Sequence, residues 1–90
     1  MKRKKQPIKI KSSDFSPEEL KKDILREAKV LNIHFGFAAI IADKVTSSVE
    51  SFINSHPVVT KTEIDSLIVS ELEKYNKDLA YIYHNRDKII

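Results

Sequence analysis

Three helix-start signatures divide this chain, and each is followed by an apolar stripe at helical spacing. The first is Ser16-Pro17-Glu18-Glu19, in which Ser16 can cap an orphan amide, Pro17 suits the first helical position and Glu19 completes a capping box. Leu20, Ile24, Ala28 and Leu31 then recur every three or four residues, which predicts a helix over about 17–31. Phe15, before the cap, stands opposite Leu20 in the manner of a hydrophobic staple. The second signature, Thr60-Lys61-Thr62-Glu63, offers Thr60 or Thr62 as the cap and leads into Ile64, Leu67, Ile68, Leu72 and Tyr75. The third is Asn76, capping a last helix with Leu79, Ala80, Ile82 and Tyr83 that is expected to run to about Lys88. Between the first two lies the most apolar segment. Phe37, Ile41, Val45, Val49, Phe52 and Ile53 predict a helix over about 37–54, with Ile40 widening the stripe and its aromatics packed in the core. Ala38, Ala39 and Ala42 allow a neighbour to approach closely.

Ahead of these segments, Ile8, Lys9, Ile10 and Lys11 alternate apolar and basic, the period of a short half-buried strand. The expected fold is mainly α: a short N-terminal β-strand or hairpin followed by a bundle of four antiparallel helices with short loops. Ninety residues support one domain, placed at 7–90 behind a basic arm at 1–6. Cysteine is absent, which excludes disulfides, thiolate zinc sites and a cysteine nucleophile. No apolar run approaches the ~18 residues of a membrane span. The basic start is followed by PIKIKSSD, where a secretory signal would have its apolar region, so the expected location is cytoplasmic, with no membrane partner.

Charge is distributed unevenly. Lys2, Arg3, Lys4, Lys5, Lys9 and Lys11 all precede the first acid, Asp14, so with a formal total of +3 the rest of the chain carries −3. Arms of this kind attract nucleic acid, nucleotide phosphates or anionic lipid, and also serve simply as solvated tails.

Catalytic signatures are missing. His34, His56 and His84 show no metal-ligand spacing, and His84, near Arg86 and Lys88, suits the negative end of a helix dipole. A single glycine cannot build a P-loop or a dinucleotide fingerprint, and the sequence has no nucleophile elbow. Glu18, Glu19, Glu50, Glu63 and Asp65 fall in helix first turns or on polar faces, where capping and solvation account for them. The chain therefore reads as a non-enzyme. What remains is anion binding: the helix starts at Ser16 and Thr60 present free amides, with Lys21 and Lys22 near the first and Lys61 at the second.

The order of elements resembles the ATP-cone domain, the nucleotide-sensing module of ribonucleotide reductases and of the repressor of their genes. Phe15-Ser16-Pro17-Glu18-Glu19-Leu20 resembles that family's hairpin-to-helix junction, and Val59-Thr60-Lys61-Thr62-Glu63-Ile64-Asp65 with Leu67-Ile68 is similar to the start of its third helix. Leu79-Ala80-Tyr81-Ile82-Tyr83 with Arg86 looks like its terminal helix, so the resemblance covers about residues 8–88. The sequence departs from the family where nucleotide is held. Its hairpin Lys-Arg-Asp-Gly finds only Lys2-Arg3, followed by Lys4-Lys5, and the lysine opening its first helix falls on Glu19, with Lys22 one turn later as a substitute. Lys61 and Asp65 stand where a small hydroxyl residue and a histidine often contact the nucleotide.

The resemblance implies a regulatory domain that binds a purine nucleoside triphosphate, ATP or dATP, with no metal beyond nucleotide-bound Mg, and signals to a partner protein. Lys2, Arg3, Lys22 and Lys61 would pair with phosphates, with Thr62 and the amides near it assisting. The alternative is a small DNA- or RNA-binding module gripping phosphates through the arm, or a protein-interaction module using Tyr81 and Ile89-Ile90, with a degenerate nucleotide site.

Overall fold

In a computed structural model of the chain, residues 9–10, 15–56 and 58–86 are described. They form β1 (Lys9–Ile10), α1 (Pro17–Val30), α2 (Phe35–Asn54), β2 (Val59–Thr60), α3 (Lys61–Glu73) and α4 (Lys77–His84). The mainly helical expectation holds, with four helices as read. Packing closes a ring: α1 lies against α2 and α4, and α3 lies against the same two helices.

The caps explain the helix starts. Ser16 Oγ accepts from the Glu19 amide at 3.3 Å, and Asn76 Oδ1 accepts from the Leu79 amide at 2.9 Å. At α3 the choice falls on Thr60. Its hydroxyl accepts from the Glu63 amide at 3.1 Å while the Glu63 carboxylate accepts from the Thr60 amide at 2.8 Å, a complete capping box. Thr62 lies inside the helix, exposed. Glu19 does not complete the corresponding box at α1, which leaves its carboxylate free of the backbone.

The turn between α1 and α2 is set by Asn32, the one non-glycine residue with positive φ among those described, at 60°. The Asn32 amide donates to Lys29 O and the Ile33 amide to Ala28 O, each at 3.0 Å, which is a Schellman stop with asparagine in the left-handed position. The chain then re-enters a helix earlier than the expected residue 37. The His34 ring caps α2 by accepting from the Gly36 amide through Nδ1 at 3.1 Å, so Phe35 and Gly36 are helical. A Cβ on Gly36 would sit 3.3 Å from that ring, a close approach that favours glycine there.

The core follows the predicted stripes: Leu20, Ile24 and Ala28; Ile41, Val45, Val49 and Ile53; Ile64, Ile68 and Leu72; Leu79, Ala80 and Tyr83. Two expectations for α2 are corrected. Phe37 and Ile40 are 48% and 52% exposed, because Ala38 and Ile41, each one residue and 100° further round, take the inward positions. Thr46 is buried, and its Oγ1 has no hydrogen-bond partner among the described residues.

The early strand exists, but its partner is distant in sequence. β1 pairs antiparallel with β2, Lys9 opposite Thr60 and Ile10 opposite Val59, rather than with a neighbouring hairpin arm among the described residues. This pairing ties the strand that follows the basic arm to the capped start of α3. α4 ends at His84 with Asn85 as its C-cap and residues 85–86 in a turn, short of the expected Lys88; residues 87–90 lie outside the described residues.

Candidate functional site

Three helix termini meet at one place. The first turn of α1, the first turn of α3 and the end of α4 surround a cleft of about 310 Å³. Ser16, Glu19 and Asp23 line it from α1 and its cap, Lys61 and Asp65 from α3, and Tyr83 and Arg86 from the end of α4. Phe15, Leu20, Ile64 and Ile68 give it an apolar side. Phe15 and Leu20 thus share a wall, as the staple reading expects.

Each charged group here is positioned by its helix. Lys61 Nζ lies 3.4 Å from Asp65 Oδ2, an i,i+4 pair on the exposed start of α3. Both partners are well exposed, so the pair is weak and easily exchanged for another anion. Arg86 is fixed more firmly. Its guanidinium donates to Tyr83 O at 2.7 Å and stacks over the Tyr83 ring at 4.0 Å. Asp23 pairs with Arg26 at 3.1 Å. Among the described lining residues, carboxylates at Glu19, Asp23 and Asp65 outnumber the cations Lys61 and Arg86. No group of three acidic or histidine side chains among the described residues is arranged to hold a metal ion.

Of the described residues read from the sequence as phosphate ligands, Lys61 lines this cleft, and Lys22 and Thr62 do not. Lys22 lines a separate groove between α1 and α2, because it lies 100° round α1 from Asp23. Thr62 lines an adjoining hollow between α3 and α4, with Ser66, Ser70 and Glu73, which shares Asp65, Tyr83 and Arg86 with the cleft. Lys2 and Arg3 lie outside the described residues, as do Ile89 and Ile90. Tyr81 is 68% exposed, in keeping with its reading as a surface residue. Arg86, Glu19 and Asp65 join Lys61 in the cleft; the resemblance marks their positions, but the sequence reading names none of the three as a phosphate ligand.

No helix among the described residues is long and apolar enough to cross a membrane. No family model, no curated protein and no solved structure matches this chain.

Proposed function

We propose that the chain is an ATP-cone-like regulatory domain that binds a purine nucleoside triphosphate, ATP or dATP, in the cleft where α1, α3 and α4 meet. The observation that carries this reading is convergence. Glu19, Lys61, Asp65 and Arg86 are the positions that the ATP-cone resemblance marks separately along the sequence, and all four line one hollow. Lys61 exchanges Asp65 for a phosphate oxygen, and Arg86, braced on Tyr83, presents its fork. The first-turn amides that the caps leave open, Glu18 in α1 and Lys61 and Thr62 in α3, favour an anion nearby. The cleft's own charge balance is acidic, so the remaining positive charge must come from the arm, including Lys2 and Arg3. That arm joins the fold through Lys9, opposite Thr60. The bound state then passes to a partner protein.

Calorimetric titration of ATP and dATP, each with Mg²⁺, tests this. Saturable heat that weakens in Lys61→Ala and Arg86→Ala, and is lost on deleting residues 1–6, is the expected result. An absence of heat at millimolar nucleotide removes the reading.

The carboxylate excess of the cleft favours one second reading, in which the arm grips DNA or RNA phosphates and the cleft holds nothing. Affinity would then be steep in salt and indifferent to sequence, and would vanish with residues 1–6 while Lys61→Ala left it unchanged.

A further inference from the structure

A groove on the other side of Glu19 has a different chemistry. Leu25 on α1, Ile33 in the turn, and Phe35 and Ala38 on α2 form its apolar lining, and it encloses about 630 Å³. Phe35, at its lip, is 71% exposed, so a phenyl ring is left largely in water where burial would stabilise it. Lys22, Arg26 and Lys29 line the same groove and recur at i, i+4 and i+7, one continuous ridge along α1. Arg26 is held by Asp23, whereas Lys22 and Lys29 have no ion-pair partner among the described residues.

We propose that this groove docks an acidic amphipathic helix of a partner protein. Its apolar side chains seat against Leu25, Ile33, Phe35 and Ala38, and its carboxylates pair with Lys22 and Lys29, in the helix-in-groove mode. Charge complementarity selects the occupant. The chain's own arm, with Lys2, Arg3, Lys4 and Lys5, has the sign of the ridge and is repelled by it. Single-stranded nucleic acid suits the cations but not the apolar side, where Leu25, Ile33 and Ala38 are aliphatic and Phe35 is one ring where a base-stacking track needs several. The assignment is independent of nucleotide binding, since the groove and the cleft share Glu19 alone.

The test uses the full chain without nucleotide and a labelled helical peptide of about 18 residues. Its leucines stand at i, i+3, i+4 and i+7, flanked by glutamates; a second peptide replaces every glutamate with lysine, and a third probe is an oligo-dT strand. Fluorescence anisotropy should show the glutamate peptide binding at least ~10-fold more tightly than the lysine peptide, with the preference shrinking as salt rises. Phe35→Ala and the pair Lys22→Glu with Lys29→Glu should each weaken it by about tenfold. These side chains are exposed, and circular dichroism checks that both variants keep their helices. Equal binding of the two peptides, indifference to both variants, tighter binding of oligo-dT, or no binding at millimolar chain overturns the proposal.

Discussion

The two hollows beside α1 share Glu19 and little else. The cleft is made of helix ends, with charges of mixed sign from Glu19, Asp23, Lys61, Asp65 and Arg86 beside an apolar side of Phe15, Leu20, Ile64 and Ile68. The groove is made of helix flanks, with Leu25, Ile33, Phe35 and Ala38 on one side and a cationic ridge of Lys22, Arg26 and Lys29 along the other. Helix ends display dipoles and orphan hydrogen-bonding groups, whereas flanks display whatever the 3.6-residue period puts there. One small bundle can therefore carry an anion site and a partner face within a turn of each other.

The largest expected effect would break both regions together. Leu72 is fully buried on α3, and Leu72→Ala should cost ~3 kcal/mol by urea denaturation, lowering both binding activities as the fold fails. A loss under ~1 kcal/mol would mean that the two hollows do not rest on a shared core. Asn32→Val comes next and separates the regions. A β-branched residue at φ 60° should cost about 1–2 kcal/mol and loosen the turn that carries Ile33 and Phe35. Under conditions where the variant stays folded, peptide binding should weaken while nucleotide binding is kept.

Glu19→Lys sharpens the comparison at the shared residue. Removing a cleft carboxylate that has no ion-pair partner among the described residues, and adding a cation, should raise ATP affinity several-fold by calorimetry, with a smaller change for the acidic peptide. Unchanged ATP affinity would place the phosphates away from α1. The smallest effect lies in the core: Thr46→Val removes a buried hydroxyl with no partner among the described residues and should stabilise the chain by up to ~1 kcal/mol in thermal unfolding. A destabilised variant would mean that the hydroxyl is satisfied in solution.

The elements were legible because their signals are local. Ser16, Thr60 and Asn76 mark three helix starts by cap chemistry, and the stripes through Ile24, Val45, Ile68 and Leu79 mark the inward faces. The start of α2 was less visible because a histidine cap carries a weak sequence signal, and this also hid the exposure of Phe35. The partner of β1 could not be read, since Val59-Thr60 is too short to show a period and the pairing is long-range. The cleft was legible only in pieces. Lys61 stands out for its place beside a capped start, but spacing along one helix does not show which side of α1 meets α3, and so the sequence does not tell that Lys22 lines the groove rather than the cleft.

The central claim is that nucleotide occupies the helix-end cleft and leaves the flank groove free. Amide chemical shifts of the full chain, followed by NMR as ATP is added, test it most directly. The account predicts changes gathered at Ser16–Leu20, Thr60–Asp65 and Tyr83–Arg86, with Lys22–Lys29 and Phe35–Ala38 quiet beyond the first turn of α1. Changes centred on Lys22, Lys29 and Phe35, or none at saturating nucleotide, would contradict it.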